Sequence, residues 1–386
     1  MRDFLAKKVK EIKPSGIRKF FDIASSIDDC ISLGVGEPDF DTPWHIREEG
    51  IYSLEKGKTY YTSNSGLKEL REEICNFMKR KYSLDYTWDK NVLVTVGGSE
   101  AIDLALRAMV EPGDEVIIPT PCYVSYEPCA IMAGANVVTI PLKNENNFRL
   151  TKEELENAIT PKSKILIISY PNNPTGAIME YEDLKQISEV IIKHDLVVIS
   201  DEIYSELSYF KPHVSIASLP NMKERTIVIN GFSKAFSMTG WRLGYACGND
   251  SIIKQMTKIH QFCIMCAPTT SQYAAVEALK YGDEDILNMK ESYDERRRYL
   301  IHRFKEMDMP CFTPAGAFYV FPDIRKFNMT SEEFAIRLLN EEHVVVVPGS
   351  AFGDSGEGFI RISYAYSLNE LKRALERLEN FIRKLK

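Results

Sequence analysis

Short apolar runs, many of them rich in β-branched residues, recur through the middle of the chain, and each has the length of one strand. Stretches with helical spacing of apolar residues, such as 99–110, 153–159 and 181–194, lie between them. Because strand and helix alternate and the strands are apolar on both faces, the pattern predicts an α/β fold around a mostly parallel sheet. The predicted strands are 92–96, 116–119, 136–140, 165–169, 196–200, 226–229 and 243–247.

The pattern changes after Pro268, where the long and strongly charged segment 284–307 is predicted to form a helix. We interpret this helix as the connection into a second domain, because 386 residues would make a single core unusually large. The elements predicted beyond it are strands at 317–321, 344–347 and 359–363 and an amphipathic helix at 368–385.

The chain carries 48 Lys and Arg against 55 Asp and Glu, a net charge of −7, and no basic stripe. Nucleic acids and anionic membranes both require clustered positive charge, so this balance favours a small-molecule substrate instead. Residues 1–13 mix charged and apolar side chains, and no stretch reaches the roughly 18 apolar residues of a membrane span. We therefore expect a soluble, cytoplasmic protein.

The eight cysteines are scattered along the chain, as is typical of reduced cytosolic proteins. One pair, Cys263 and Cys266, has CxxC spacing. Zinc would require further ligands, and the sequence has no second CxxC and no HxxxH. We interpret the pair as two thiols on one helical face.

The segment Val96-Gly97-Gly98-Ser99-Glu100 follows a predicted strand and begins a helix. Glycine lets the backbone approach a ligand closely, and a helix N-terminus offers free N–H groups to an anion. The segment therefore indicates a phosphate site, although a plain strand-to-helix turn has the same composition. It lacks the spacing of a Walker motif and of a dinucleotide fingerprint.

Further polar residues follow the next strands. Asn172 and Asn173 lie in a stiff loop between prolines and could offer amide donors, although an ordinary turn would look similar. Asp201 ends a strand, where a buried carboxylate needs a cationic partner. Lys234 and Arg242 lie among glycine and aromatic residues, which is difficult to explain by packing alone.

One cofactor would satisfy these groups together. Pyridoxal 5′-phosphate (PLP) offers a phosphate to Arg242, a pyridinium nitrogen to Asp201 and an aldehyde to Lys234. From about Ser15 to the C-terminus, five motifs resemble those of the class I aminotransferases of PLP-dependent fold type I. The motifs are SLGVGEPDF (32–40), YPNNPTG (170–176), SDEIY (200–204), SKAFSMTGWRLGY (233–245) and FIRISYA (359–365).

The resemblance implies a large domain, 45–285, in which a mostly parallel seven-stranded sheet is flanked by helices. It also implies a small α+β domain that is built from both chain ends, 1–44 and 286–386. This small domain is expected to close over the substrate through the charged helix.

The resemblance also assigns roles around the cofactor ring. Lys234 would form the Schiff base with PLP and move the substrate proton, and Asp201 would pair with the pyridine N–H. Tyr204 and Asn173 would donate hydrogen bonds to the phenolic oxygen of the ring. Tyr123 would stack on the ring, although it could also be an ordinary core tyrosine.

For the cofactor phosphate, the resemblance implies backbone or hydroxyl donors from Gly98, Ser99 and Glu100 and a fork-shaped cation from Arg242. Ser233 should add its hydroxyl group.

Two further positions concern the same phosphate. Many relatives carry a hydroxyl residue three positions before the lysine, but this chain has Gly231 there, so one contact is missing or replaced. Tyr61 matches a tyrosine that reaches the phosphate of the neighbouring subunit, which implies a homodimer with shared active sites. The alternative for Tyr61 is an edge-strand tyrosine.

For the substrate, the resemblance implies that Arg361 binds the α-carboxylate bidentately, with help from the Gly36 amide. In aspartate-preferring relatives, a lysine can take the place of Ser99 and bind the distal carboxylate. This chain lacks that cation, so a preference for aspartate is in doubt.

The segment 14–21 resembles that of relatives with a broad or aromatic preference, where it can cover the substrate as a lid. Ile17 is therefore expected to line the pocket. Arg18 or Lys19 could bind the distal carboxylate of glutamate or 2-oxoglutarate, although both could equally be solvated helix charges.

The resemblance therefore implies a PLP-dependent aminotransferase. It would move the amino group of an aromatic or broadly chosen L-amino acid to a 2-oxo acid such as 2-oxoglutarate, by a ping-pong cycle. The alternatives are an aspartate aminotransferase, a carbon–sulfur β-lyase of the same fold, and a non-catalytic PLP-sensing regulator.

Overall fold

The computed structural model of the chain describes residues 3–12, 14 and 29–385. The strands of this part are β1 (Ile31–Ser32), β2 (Val92–Thr95), β3 (Glu115–Thr120), β4 (Asn136–Pro141), β5 (Ser163–Ser169), β6 (Val197–Asp201), β7 (Thr226–Gly231), β8 (Gly244–Cys247), β9 (Tyr319–Val320), β10 (Val344–Val345), β11 (Val347–Pro348) and β12 (Ile360–Ser363). Its α-helices are α1 (Lys7–Glu11), α2 (Trp44–Glu55), α3 (Lys68–Tyr82), α4 (Gly97–Met109), α5 (Tyr126–Ala133), α6 (Lys152–Ala158), α7 (Tyr181–Lys193), α8 (Asp250–Ile264), α9 (Thr269–Tyr281), α10 (Asp283–Glu306), α11 (Ser331–Glu342) and α12 (Leu368–Leu385).

A seven-stranded sheet has the order β2-β8-β7-β6-β5-β3-β4. β8 is antiparallel to both of its neighbours and the other pairs are parallel, which confirms the predicted mostly parallel sheet. In its register, Ser169 at the end of β5 lies beside Asp201 of β6, and Asp201 lies beside Ile229 of β7. The carboxyl ends of these strands, and the loops that follow them, therefore meet at one edge of the sheet.

Helices cover both faces of this sheet. Along β5, Ile165 and Ile167 pack into one core with α4, α5 and α8, whereas Leu166 and Ile168 pack into another with α6 and α7. Successive side chains of a strand point to opposite faces, so a strand that is buried on both faces is apolar at every position. This packing explains the continuous apolar runs from which the α/β fold was predicted.

The remaining strands lie outside this sheet. β9, β11 and β12 form an antiparallel sheet, and β1 pairs in parallel with β10. Leu33, early in the chain, packs in one hydrophobic core with Phe318, Ile362 and Leu375 near its end. The domain boundaries themselves, 45–285 and 1–44 with 286–386, stay a prediction.

The predicted single strand 344–347 is wrong, because the chain changes sheets within it. Residues before Val346 pair with β1, whereas those after it pair with β12. The predicted strand 317–321 is also shorter, since only Tyr319 and Val320 are part of β9. In both cases, tertiary pairing limits the strand to fewer residues than its apolar run.

The predicted shared helical face of Cys263 and Cys266 is also wrong. α8 ends at Ile264, and Met265 has a φ of 71°, in the left-handed region that ends a helix. Cys263 is exposed in the last helical turn, and Cys266 lies beyond the helix. All eight cysteines are free thiols.

Among the described helices, α10 is the longest, with 24 residues, and it is rich in charged side chains. None of the helices in residues 3–12, 14 and 29–385 combines the length and the apolar content that a bilayer crossing requires.

Candidate active site

A cavity of about 510 Å³ lies where the carboxyl ends of β5, β6 and β7 meet. Its walls come from both parts of the fold, because the loop after β1 and strand β12 contribute to them as well as the large sheet. Most residues that the sequence predicts for the site are brought together here. Those that line the cavity are Gly36, Gly98, Ser99, Tyr123, Asn173, Asp201, Tyr204, Ser233, Lys234, Arg242 and Arg361.

Glu100 is predicted at the phosphate but does not line this cavity. One of its carboxylate oxygens accepts a hydrogen bond of 2.5 Å from the backbone N–H of Val96. The other lies 2.9 Å from Nδ1 of His260. The side chain of Glu100 is therefore engaged within the protein, and the phosphate contact predicted for its backbone N–H stays a prediction.

A second predicted residue, Tyr61, also does not line the cavity. Tyr61 lies in the loop between α2 and α3 and is 80% exposed, so this chain does not bring it to its own site. Ile17 lies outside the described residues, as do Arg18 and Lys19 of the predicted lid.

Asp201 is buried at the end of β6. Its carboxylate accepts a hydrogen bond of 2.6 Å from the Tyr126 hydroxyl and one of 3.2 Å from the backbone N–H of Ile203. Burial raises the pKa of Asp201, and these two hydrogen bonds act in the opposite direction. Within the described part of the chain, no basic side chain forms an ion pair with Asp201. A cationic ligand atom would therefore complete its environment.

The amine of Lys234 donates a hydrogen bond of 2.6 Å to the backbone oxygen of Gly36. Burial lowers the pKa of Lys234 from 10.5 to about 8. The charge of Glu37 raises this pKa, whereas that of Arg361 lowers it. An amine with this pKa is partly neutral near physiological pH, which is the form that attacks an aldehyde.

The turn between β2 and α4 provides room for an anion. Gly97 has a φ of 73°, and a Cβ on it would lie 2.8 Å from Nη2 of Arg242. Glycine at this position therefore lets the guanidinium approach the backbone. The first N–H groups of α4 have no partner within the helix, so they and Arg242 form a cradle suited to a phosphate.

Close backbone packing behind this turn accounts for the unusual Gly231. A Cβ on Gly244 would lie 2.6 Å from the backbone nitrogen of Gly98. Gly231 pairs with Gly244, and a Cβ on it would lie 3.0 Å from the Gly244 Cα atom and 3.1 Å from Ile203. A hydroxyl residue at this position would meet closer contacts than most side chains do, so its neighbours would have to shift by a few tenths of an ångström.

Arg361 is 3% exposed. Its Nη1 donates a hydrogen bond of 2.9 Å to Oδ1 of Asn173, and its Nη2 donates to the backbone oxygen of Gly34. Its guanidinium carbon lies 4.5 Å from the ring centre of Tyr319 and 4.8 Å from that of Phe352. No carboxylate of the described residues neutralises this buried cation, so a ligand carboxylate is its natural complement.

Sequence reasoning missed two tyrosines that contact predicted residues. The Tyr319 hydroxyl lies 2.6 Å from that of Tyr204, and both residues line the cavity. Tyr126 holds Asp201, and its ring lies edge-on to Tyr123 at 5.5 Å. The sequence gives only a weak indication that Tyr126 belongs to the site, namely its position three residues after Tyr123. Nothing else in its local sequence distinguishes Tyr126 from the other tyrosines among the 19 of the chain.

These groups match PLP in charge and in hydrogen-bonding type. The cradle at Arg242 suits the phosphate, Asp201 suits a protonated pyridine nitrogen, and Lys234 suits an aldehyde. When bound, PLP withdraws electrons from the carbon that carries the amino group, so that a proton can leave that carbon.

Comparison with known proteins agrees with this site. The family model for aminotransferases of class I and II matches residues 28–378. An aspartate aminotransferase of Pyrococcus abyssi is 46% identical, over 99% of both chains. Aromatic-amino-acid aminotransferase 2 of Thermococcus litoralis is 43% identical, also over 99% of both chains.

Solved structures give the same result. An aromatic aminotransferase from Pyrococcus horikoshii OT3 matches with a TM-score of 0.91 and 44% identity, over 96% of this chain and 100% of its own. These relatives are aminotransferases, so the β-lyase alternative is not favoured. The chain belongs to the class I and II aminotransferases, and it is an enzyme that uses PLP to transfer amino groups.

Proposed function

We propose that Arg361 binds the α-carboxylate of an L-amino acid beside Lys234 and thereby selects amino acids as the amino donors. The supporting observation is the buried guanidinium, which has no carboxylate partner in the described chain and whose Nε has no hydrogen-bond partner there. A guanidinium binds a carboxylate through two parallel N–H groups, which fixes the orientation of the substrate carbon. The amino acid leaves as a 2-oxo acid, and a second 2-oxo acid such as 2-oxoglutarate then accepts the amino group.

Lys234 is the proposed proton carrier. With cofactor and substrate bound, the amine of Lys234 would lie in the cavity beside the substrate carbon. Its pKa of about 8 allows both protonation states near neutral pH. It can therefore remove the proton from the substrate carbon and deliver it to the cofactor.

The remaining cavity residues are proposed to hold the cofactor. Asp201 pairs with the ring nitrogen, and Tyr126 keeps its carboxylate in place. For the ring oxygen we propose Tyr204 and Asn173, and for stacking Tyr123. For the phosphate we propose Gly98, Ser99, Ser233 and Arg242.

We propose a preference for aromatic or other neutral amino acids over aspartate. Ser99, at the start of α4, is uncharged where a lysine could bind a distal carboxylate. The cavity wall also includes the acidic Glu37, which would repel a second carboxylate, and the ring of Tyr319, which suits an aromatic side chain. One relative is named for aspartate and another for aromatic amino acids, so a direct comparison of the two substrates is needed.

We also propose that two copies of the chain share their active sites. The loop after α2 is joined to the region after α8, because Asn64 donates a hydrogen bond to Met265 and Thr269 donates one to Tyr60. These neighbouring segments and α2 carry several exposed apolar side chains, which are typical of protein interfaces. The exposed members are Trp44, Ile51, Tyr52, Leu54, Tyr60, Tyr61, Phe262, Ile264 and Met265.

The cytoplasmic location stays a prediction. The eight free cysteines suit a reducing compartment.

The first prediction concerns Arg361. Arg361→Lys keeps the charge but loses the bidentate contact, so kcat/KM for L-phenylalanine should fall about 100-fold. The absorbance of the bound cofactor should stay unchanged. Formation of phenylpyruvate, followed by chromatography with 2-oxoglutarate as acceptor, measures the effect.

Arg298→Lys, on the exposed face of α10, is the matched control and should keep full activity. Lys234→Ala should fold and have no activity. An equal loss in Arg361→Lys for phenylethylamine, which has no carboxylate, would contradict the proposed role. Release of pyruvate from cystathionine without an acceptor would favour the β-lyase instead.

The second prediction concerns the pKa of Lys234, which lies at about 8 instead of 10.5. Because this pKa is lowered, the neutral, reactive amine predominates above it. In cofactor-free protein, acetylation of Lys234 by limiting acetic anhydride should therefore rise with pH and level off above about pH 9. Mass spectrometry of the modified peptide gives the rate. A rate that still rises steeply beyond about pH 10 would refute the lowered pKa.

The third prediction tests substrate choice. Ser99→Lys should raise kcat/KM for aspartate relative to phenylalanine about tenfold, because the added cation can bind the distal carboxylate. Ser99→Met has a long side chain without charge and controls for the lost hydroxyl. If wild-type enzyme already prefers aspartate by a wide margin, the proposed substrate preference is wrong.

The fourth prediction tests the shared site. Lys234→Ala and Tyr61→Ala subunits each lack one part of a site, but a mixed dimer would contain one complete site. After subunit exchange, the mixture should recover about a quarter of wild-type activity. No recovery, or a monomer in sedimentation experiments, would exclude shared sites.

A further inference from the structure

The phosphate cradle includes the turn between β2 and α4, and two side chains form hydrogen bonds with the backbone of this turn. The hydroxyl of Thr95 donates a hydrogen bond of 2.9 Å to the backbone oxygen of Gly97. The carboxylate of Glu100 accepts one of 2.5 Å from the backbone N–H of Val96. Both contacts fix the backbone just before the first free N–H groups of α4, so they determine where these groups point.

Glu100 is itself held by His260 of α8. Nδ1 of His260 lies 2.9 Å from the second carboxylate oxygen of Glu100, and the residue is 0% exposed. Since a carboxylate only accepts hydrogen bonds, Nδ1 carries the hydrogen. Nε2 of His260 has no hydrogen-bond partner among the described residues. The contact with Glu100 is therefore the polar interaction that the structure assigns to this buried ring.

An acidic residue beside a phosphate site would normally oppose anion binding. Glu100 avoids this because neither of its oxygens is directed into the cavity, and both are occupied by Val96 and His260. Without His260, the carboxylate would lose one of its two anchors and could turn toward the bound phosphate.

We propose that His260 and Glu100 are positioning residues for the cofactor phosphate, acting through the backbone of the turn Val96–Ser99. The proposal rests on the proposed placement of the phosphate at Gly98 and Ser99. It gives the side chain of Glu100 a role of its own, beside the backbone contact with the phosphate that the family resemblance implies.

The test compares two aldehydes that differ at the phosphate, PLP and pyridoxal. Their dissociation constants are measured by absorbance on the full-length protein after the cofactor has been removed. In His260→Leu, PLP should bind about tenfold more weakly, because a hydrogen bond to a charged group is lost, while pyridoxal binding stays unchanged. His260→Asn places an amide N–H near the position of Nδ1 and should recover most of the PLP affinity.

His194→Leu is the matched control, because His194 also contacts a carboxylate at 2.9 Å, that of Glu156, away from the cavity. It should leave both affinities unchanged. Glu100→Gln should weaken PLP in the same direction as His260→Leu, and it provides the test should the leucine variant not fold.

Equal weakening of PLP and pyridoxal in His260→Leu would show a general structural effect and overturn the proposal. Unchanged PLP binding in both His260→Leu and Glu100→Gln would also overturn it. If wild-type protein binds PLP and pyridoxal equally, the proposed phosphate site itself is wrong, and the inference fails with it.

Discussion

The parallel register of β5, β6 and β7 is the constraint on which the site depends. Ser169, Asp201 and Ile229 lie side by side, so loops that are distant in the chain begin at the same edge. A slip of one residue would turn every side chain of a strand into the opposite core, where the packing is different. The large apolar cores on both faces therefore determine where the polar residues of the active site lie.

The site collects charges that the protein leaves without ion pairs. Asp201 and Arg361 are buried. Burial raises the pKa of Asp201 and lowers the pKa of Arg361, which in each case favours the neutral form. Asp201 accepts a hydrogen bond from Tyr126, and Arg361 donates one to Asn173, so each buried group has part of its hydrogen-bonding capacity satisfied within the protein. The rest is left for a ligand with a cationic ring nitrogen and a carboxylate. Burying these charges costs free energy, which the proposed pairing of Asp201 with the cofactor and of Arg361 with the substrate would offset.

Regular elements with a strong pattern were predictable from the sequence. The amphipathic helix 368–385 corresponds to α12, and the apolar runs of the large sheet correspond to strands. The division of the segment 344–347 between two sheets was not predictable, because the change of partner at Val346 depends on β1, which is distant in the sequence. Among the site residues, Lys234 and Arg242 stood out because packing does not explain charged groups in such motifs, and Arg361 was predicted from the family resemblance. Tyr126 and Tyr319, by contrast, resemble ordinary core tyrosines.

The sequence by itself determined the α/β class and the cofactor, and it predicted the charged and amide side chains that we propose to bind this cofactor. These follow from the order of the motifs and from the types of side chain. Only the tertiary structure decided that Glu100 turns away from the cavity to His260, and that Gly231 packs against Gly244. Both features depend on contacts between segments that are distant in the sequence. Neither the partner of a side-chain hydrogen bond nor the distance between two backbones can be recognised from a local sequence pattern.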